Sequence, residues 1–258
     1  MQKDYLNYDQ IATQYNQRYP NTQAWERGQA LLELAKQVKA KTILEVGSGT
    51  GFWLNLLNQT GGKLFGLDYS LGMLQQSKGQ PAPLSLTRGS GTQLPYRSSS
   101  FDLLYCVDAI HHFGDHRAFI TEASRLLKPG GALAIIGHDP HEGPSHWYIY
   151  NYFDHVYDTD LRRYPSGNRV LQWMEQEGFE NISDQTVESI HNIHVGDAVL
   201  KDPFLKHSAT SQLALLNEAD YQTGMERIQN ALAAAKEKKE RIVFRSEINV
   251  KMWLGFKK

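Results

Sequence analysis

Ile43-Leu44-Glu45-Val46-Gly47-Ser48-Gly49-Thr50-Gly51-Phe52-Trp53 begins as an apolar, β-type run and breaks into three glycines at alternate positions. Glycine has no Cβ and tolerates positive φ, so such a loop lets the backbone lie directly against a ligand. A helix starting there presents free N–H groups, which favour a negative or strongly polar group. The dinucleotide fingerprint G-x-G-x-x-G would need its third glycine where Phe52 stands. The pattern is instead E-x-G-x-G-x-G, with Glu45 two residues ahead of Gly47. A carboxylate there repels a pyrophosphate and suits a ligand with a cationic end.

Outward from this loop, short apolar runs at 42–46, 64–67, 83–87, 102–107 and 132–136 alternate with helical patterns. Strands separated by helices of this length imply right-handed crossovers and a parallel sheet. Leu31, Leu34, Ala35 and Val38 place a helix over roughly 22–40; Phe119, Ala123 and Leu126 mark another before Lys128-Pro129-Gly130-Gly131. Val170, Leu171 and Met174 mark a third, ending at Gly178. From Ile242 to Phe256 alternate residues are nearly all apolar, while Arg245, Glu247, Asn249 and Lys251 occupy the other face. That period of two predicts an antiparallel strand with one wet side. Residues 138–166, rich in His, Tyr, Trp, Gly and Pro, read as a long irregular loop with one short helix. Residues 191–240 are an insertion between the last two strands. They carry a helical stripe of Tyr221, Met225, Ile228, Leu232 and Ala235 behind an Asn217 N-cap. Long structured insertions of this kind suggest functional lids.

The 258 residues, 41% hydrophobic, suffice for one α/β domain with a buried core. A net charge of −1 supplies no basic field for tracking phosphates, which argues against nucleic acid as a partner. Cys106, the single cysteine, sits in an apolar run, so neither a disulfide framework nor a Cys-based metal site is expected. The N-terminal stretch lacks an apolar leader core and no apolar run is long enough to span a membrane, so a soluble cytoplasmic protein is expected.

Four segments, in order and at their intervals, resemble the class I S-adenosylmethionine-dependent methyltransferases, and in particular the small-molecule branch of the ubiquinone/menaquinone-biosynthesis type. They are the glycine loop, Gly66-Leu67-Asp68-Tyr69-Ser70-Leu71-Gly72-Met73-Leu74, Phe101 through Phe113, and Arg125-Leu126-Leu127-Lys128-Pro129-Gly130-Gly131, covering roughly residues 40 to 140. The resemblance implies a doubly wound, Rossmann-like, seven-stranded, mostly parallel α/β sheet with its final strand antiparallel and a helical lid insertion. The expected single domain, 1–258, has a core of about 40–137, 168–190 and 241–258. An N-terminal cap over 1–40 and lid insertions at 138–166 and 191–240 complete it. The implied cofactor is S-adenosyl-L-methionine. Glu45, Gly47, Ser48, Gly49 and Gly51 then lie against its methionine moiety, Asp68 on its ribose, and Tyr69 and Met73 by its adenine. Many relatives carry an acidic residue after strand three for the adenine amino group. Here the run is Ser90-Gly91-Thr92, where Ser90 or Thr92 would accept that bond. The segment from Tyr8 to Tyr19 resembles the family's opening helix, in which a tyrosine closes over the cofactor; Tyr15 matches best and Tyr8 next.

Methyl transfer from a sulfonium needs alignment, dryness and a lone pair on the acceptor, so a dedicated base is optional. Val107-Asp108-Ala109-Ile110-His111-His112-Phe113 leaves strand four at its carboxyl end, where open α/β sheets bind ligands. Val107 is expected at the cofactor. Asp108 or His111 would orient the acceptor or take its proton, and at most one of the adjacent histidines should face the pocket. On the loop after strand five, His141 is a further catalytic candidate, with His138, His146, Trp147 and Tyr150 as acceptor contacts. The Pro/Gly-broken spacing there does not suit a metal, and none is expected. The acceptor is expected to be a small molecule methylated at O, N or C. Competing readings are a non-catalytic S-adenosylmethionine-binding protein and a nicotinamide-dependent oxidoreductase, the latter opposed by Phe52 and Glu45. Nucleic-acid methylation is opposed by charge. The N-terminal segment and the 191–235 insertion are expected to roof the carboxyl end of the sheet.

Overall fold

The computed structural model describes residues 6–13, 15, 26–143 and 146–258. Thr42–Val46 (β1), Lys63–Asp68 (β2), Leu84–Arg88 (β3), Phe101–Val107 (β4) and Leu127–His138 (β5) are parallel, in the spatial order β3-β2-β1-β4-β5. The order reverses at β1, so a crevice opens beyond the carboxyl ends of β1 and β4. Val243–Lys257 (β8) runs antiparallel to β5, from Ala132↔Phe256 to His138↔Val250, and Phe179–Val195 (β7) pairs antiparallel along its other side. The period-two run, expected antiparallel beside strand five or six, is antiparallel beside β5. β5 differs from expectation by starting at Leu127, before the Pro129-Gly130-Gly131 turn. A register shift between Phe101 and Leu103 of β4 absorbs that turn as a bulge.

Both faces of the sheet are covered, which explains why its strands read as continuous apolar runs. On one face Ile43, Leu64, Leu103 and Tyr105 pack under Glu26–Gln37 (α1) and Phe52–Leu57 (α2). On the other, Leu44, Leu104, Cys106 and Ile135 pack under His116–Leu126 (α4) and Gly167–Gln176 (α7). Cys106 is a buried free thiol, pushed well above its ordinary range by burial. Leu71–Ser77 (α3) is capped by Ser70, whose Oγ accepts from the Met73 N–H. The helix expected over 22–40 is present from Glu26, and positions 22–25 lie outside the described residues. No described helix is long and apolar enough to cross a membrane.

The stretch read as an irregular loop, 138–166, is mostly ordered secondary structure. A short strand His146–Trp147 (β6) and the helices Tyr148–Tyr152 (α5) and Val156–Arg163 (α6) occupy it. Helices this short show too few turns for a 3.6-residue period to emerge. Its apolar residues are core: Trp147, Tyr148, Ile149, Phe153 and Val156 pack with Val199, Leu205, Leu213, Ile228, Leu232 and Phe244. The inserted segment starts at Gly196 and not at 191, because β7 runs on to Val195. Within it lie Ser211–Ala214 (α8) and Glu218–Glu237 (α9), the latter capped by Asn217 as expected.

The two inserted segments meet at Gly224 of α9, where a Cβ would fall 2.1 Å from the Phe153 ring. Gly224→Val should overpack this contact and lower stability by about 1–3 kcal/mol. Thermal melts of the two proteins check it; an unchanged melting temperature would mean that α9 does not rest on Phe153.

Candidate active site

The glycine loop is shaped by the end of β2. Gly47 and Ser48 donate their N–H groups to the Leu67 carbonyl at 2.8 and 3.0 Å, and the Gly49 N–H reaches Asp68 Oδ2 at 2.7 Å. Gly47, Gly49 and Gly51 all have positive φ, but space explains them differently. A Cβ on Gly47 would lie 2.6 Å from that of Ala109, and one on Gly51 2.4 Å from Ser77 Oγ, so both permit packing. Around Gly49 there is open space, which makes it the loop glycine that fronts a ligand. Asp68 also accepts from the Ser70 N–H at 2.8 Å. Burial raises its pKa, and the Ser70 and Gly49 amides pull against that rise. Each oxygen thus holds one backbone amide and keeps a lone pair for a hydroxyl donor.

These groups face a cavity of about 280 Å³, lined by Tyr15, Gly47, Gly49, Asp68, Tyr69, Met73, Ser90, Gly91 and Val107 among the expected cofactor residues. Gly91 is pressed against Phe113, where a Cβ would meet the ring at 2.8 Å. Tyr69 is 61% exposed with its ring 5.9 Å from the Arg88 guanidinium, whereas Met73 is buried. Ser90 Oγ lies 2.9 Å from Thr92 Oγ1 and accepts from the Thr92 N–H; Ser90 lines the cavity and Thr92 does not. Glu45, Ser48 and Gly51 are not lining residues either. Glu45 is 1% exposed beneath the loop, accepts from the Tyr105 hydroxyl at 3.2 Å, and is pushed well above the carboxylate range by burial. The alternation that seals β1 into the core places it there.

The N-terminal segment is docked by a residue that sequence reading missed. Asp9 Oδ1 accepts from Ser70 Oγ at 2.6 Å and from the Gly72 N–H at 2.7 Å, bonds that hold its carboxyl below the ordinary value. Tyr8 and Tyr15 are thereby set edge-to-face, 6.0 Å apart, and both line the cavity. Tyr19 lies outside the described residues.

Tyr8, Tyr15 and Asp108 also line a second cavity of about 190 Å³, with His111, His138, Trp147, Tyr164, Ile190, Phe204, Gln212, Ile248 and Val250. Asp108 stands at the junction with φ +49, a backbone conformation that costs a non-glycine residue free energy. Arg27 of α1 holds it: Nη1 reaches Asp108 Oδ2 at 2.7 Å, while Nε and Nη2 reach Glu188 of β7 at 2.7 and 3.0 Å. Arg27 and Glu188 were not foreseen. The signal was present, because Arg27 stands at the stripe spacing that leads to Leu31 and Leu34, where a charge needs a buried partner.

Both adjacent histidines face a cavity, contrary to expectation: His112 lines the first and His111 the second. The short 3₁₀ turn Ile110–His112 splays them, with ring centroids 3.9 Å apart. His112 Nε2 is 2.7 Å from the Tyr8 hydroxyl. His111 stacks on Tyr164, its Nε2 3.2 Å from the Tyr164 hydroxyl. Gln212 Nε2 donates to Tyr164 Oη and to Asp160 Oδ2, both at 3.0 Å, which directs the Tyr164 proton toward His111 Nε2. Burial, reinforced by nearby His112 and Arg163, lowers the His111 pKa well below its ordinary value and keeps the ring neutral. Asp160, pushed up to about 6 by burial, anchors the far end. Tyr164 and Gln212 were missed because long-range folding alone brings them to His111. His141 is exposed, bonds the Tyr164 carbonyl through Nε2 at 2.9 Å and lines neither cavity, so the catalytic expectation for it is withdrawn. Tyr150 bonds Asp160 at 2.9 Å, and His146 is exposed outside the chamber. Among the described residues no group of three or more His, Cys, Asp or Glu is arranged to hold a metal ion.

Comparison with known proteins places this geometry. A family described as a methyltransferase domain matches residues 44–135. A demethylmenaquinone methyltransferase from Corynebacterium kroppenstedtii is 33% identical over 93 residues, 36% of this chain and 40% of that protein. One from Renibacterium salmoninarum is 24% identical over 180 residues, 63% of this chain and 75% of that protein. Among solved structures, a putative methyltransferase from an antibiotic biosynthesis pathway of Anabaena variabilis superposes with a TM-score of 0.68 at 20% identity, covering 92% of this chain and 98% of that one. Residues 44–135 thus carry a methyltransferase domain of the S-adenosylmethionine-dependent class. Its cofactor is S-adenosylmethionine, and the open face of Gly49 beside the spare lone pairs of Asp68 fits that group.

Asp68→Ala should raise the dissociation constant of S-adenosylhomocysteine at least about tenfold, since two hydroxyl donors would lose a charged acceptor. Titration calorimetry measures this, with NAD as the ligand expected not to bind. An unaltered constant would remove Asp68 from the cofactor site.

Proposed function

We propose that the protein transfers a methyl group from S-adenosylmethionine to an uncharged, largely apolar small molecule seated in the second cavity. The observation that carries this reading is the common wall: Tyr8, Tyr15 and Asp108 line both cavities. When bound, the cofactor supplies an electrophilic methyl on a sulfonium whose leaving group is a neutral thioether. Asp68 holds the ribose, Gly47 and Gly49 let the backbone approach the amino-acid end, and Tyr69, Met73 and Ser90 border the adenine. The chamber's aromatic and aliphatic lining favours an apolar acceptor. The one Lys or Arg among its described lining residues is Arg27, already committed to Asp108 and Glu188, so an anionic acceptor finds no counter-charge there. The relatives named demethylmenaquinone methyltransferases make a demethylmenaquinone-like ring the first acceptor to try.

For a hydroxyl acceptor the chain provides a proton route. Tyr164 Oη accepts the acceptor's hydrogen bond, passes its own proton to His111 Nε2 and takes the acceptor's proton in its place. Concerted exchange avoids a free tyrosinate, which burial disfavours strongly. We read the chain as one domain in which the N-terminal segment and the segment after β7 roof both cavities. The support is that Tyr8 and Tyr15 line both cavities, while Phe204 and Gln212 line the second. A cytoplasmic location and no use of nucleic acid fit this reading.

Release of S-adenosylhomocysteine with a panel of neutral, anionic and cationic acceptors tests the function; turnover confined to anionic acceptors would overturn it. Tyr164→Phe should lower kcat by about 100-fold with cofactor affinity intact, the scale of a lost proton-transfer step. The pH profile follows from the lowered His111 pKa. The ring accepts a proton throughout neutral pH, so the acid limb of kcat should fall below pH 6.5. His111→Gln should abolish that limb. An unchanged kcat in Tyr164→Phe would rule out the route.

A further inference from the structure

Beyond the sheet proper, β7 and β8 continue as a two-stranded ribbon whose faces differ sharply. Paired residues point to the same side, and sides alternate along each strand. Ile190, Asn192, His194, Phe244, Ser246 and Ile248 share the inner face, of which Ile190, Asn192, Ser246 and Ile248 line the second cavity. The outer face at the tip carries Ile193, Val195, Val243 and Arg245, paired as Ile193↔Arg245 and Val195↔Val243. Here the apolar residues are out in solvent: Ile193 is 57% exposed, Val195 49% and Val243 40%. Leu200, on the 3₁₀ turn that follows β7, is 45% exposed. They make up four of the six large hydrophobics exposed among the described residues. Concentration of exposed apolar side chains at one end signals contact with something.

The charge around them indicates what. Within residues 193–201 and 236–245, Lys201, Lys236, Lys238, Lys239, Arg241 and Arg245 stand against Asp197, Glu237 and Glu240, six positive charges to three. The tip is thus net positive by three in a chain whose total is −1. Lys236 spends its charge on Asp197 at 2.9 Å and Arg245 lies 3.7 Å from Glu247, just beyond the tip, but Lys201, Lys238, Lys239 and Arg241 are exposed. Apolar side chains ringed by Lys and Arg are the composition that partitions into an anionic bilayer interface. We propose that the tip of the β7–β8 ribbon, with residues 196–201 and 236–242 beside it, docks on an anionic lipid surface. The exposed Asn192, at the rim of the second cavity, adjoins Ile193, so docking brings the acceptor chamber against the bilayer. An apolar acceptor could then enter without crossing water. That last consequence rests on the proposed function, whereas the docking itself does not.

The test is co-sedimentation of the full chain with phosphatidylcholine vesicles, with and without phosphatidylglycerol. Binding should require phosphatidylglycerol and weaken with salt. The double variant Arg241→Glu/Arg245→Glu should reduce partitioning at least about tenfold, given the strength of each basic contact. Ile193→Ser/Val243→Ser should also reduce it while the binding that remains stays salt-dependent, whereas the charge-reversed variant should lose that dependence. Calorimetry with S-adenosylhomocysteine on each variant separates loss of docking from loss of the fold or the cofactor site. Absent binding, or equal binding to both vesicles, would overturn the proposal. So would a concentration-dependent dimer abolished by Ile193→Ser/Val243→Ser, which would assign the face to a second copy of the chain.

Discussion

Arg27 is the interaction on which the two cavities depend. Its guanidinium is almost completely buried, and it binds Glu188 through Nε and Nη2 and Asp108 through Nη1. A buried charge stripped of its partner costs about 3–5 kcal/mol, so α1, β7 and the end of β4 are obliged to meet. The same contact holds Asp108 in its left-handed conformation between the two cavities. A hydrophobic residue at position 27 would pack the helix just as well but would leave Asp108 without a reason to adopt that shape. The arrangement therefore trades stability for a fixed wall between the two cavities.

Around that wall, polar groups are arranged so that almost every bond has a direction. Gln212 spends its two amide hydrogens on Asp160 and Tyr164, leaving Tyr164 to donate to His111. A neutral histidine results, because burial disfavours its charged form. On the cofactor side, Asp9 ties the N-terminal segment to the start of α3 with two charge-assisted bonds, and Tyr8 meets His112. Such bonds gain strength where water is excluded, which is also what a sulfonium substrate requires.

The inserted segments contribute a core of their own. Phe153, Tyr221 and His207 stack in sequence, and Phe244 of β8 closes the cluster from below. Because that cluster sits on the inner face of the ribbon, no other described element covers the outer face. The exposed Ile193, Val195 and Val243 follow from the same alternation that lines the acceptor chamber.

The sheet was legible in the chain because its information is local. Alternating apolar runs, glycines at fixed intervals and capping residues such as Ser70 and Asn217 each act within a few residues. The cofactor loop and Asp68 were legible for the same reason, since one strand–helix–strand unit determines their spacing. Folding decided which of these residues reach the cavity. Glu45 turned inward because β1 is covered on both faces, Gly51 packs against Ser77 and Leu84 at the start of α2, and His141 fell outside because a turn at Asp139 carries it away. The second cavity was legible only in part: Asp108 and His111 stood out in the 107–113 segment, but Arg27, Tyr164, Glu188 and Gln212 come from four other stretches of the chain. Pairing among them is set by burial and by the need to satisfy buried charge, and neither leaves a periodic trace in sequence.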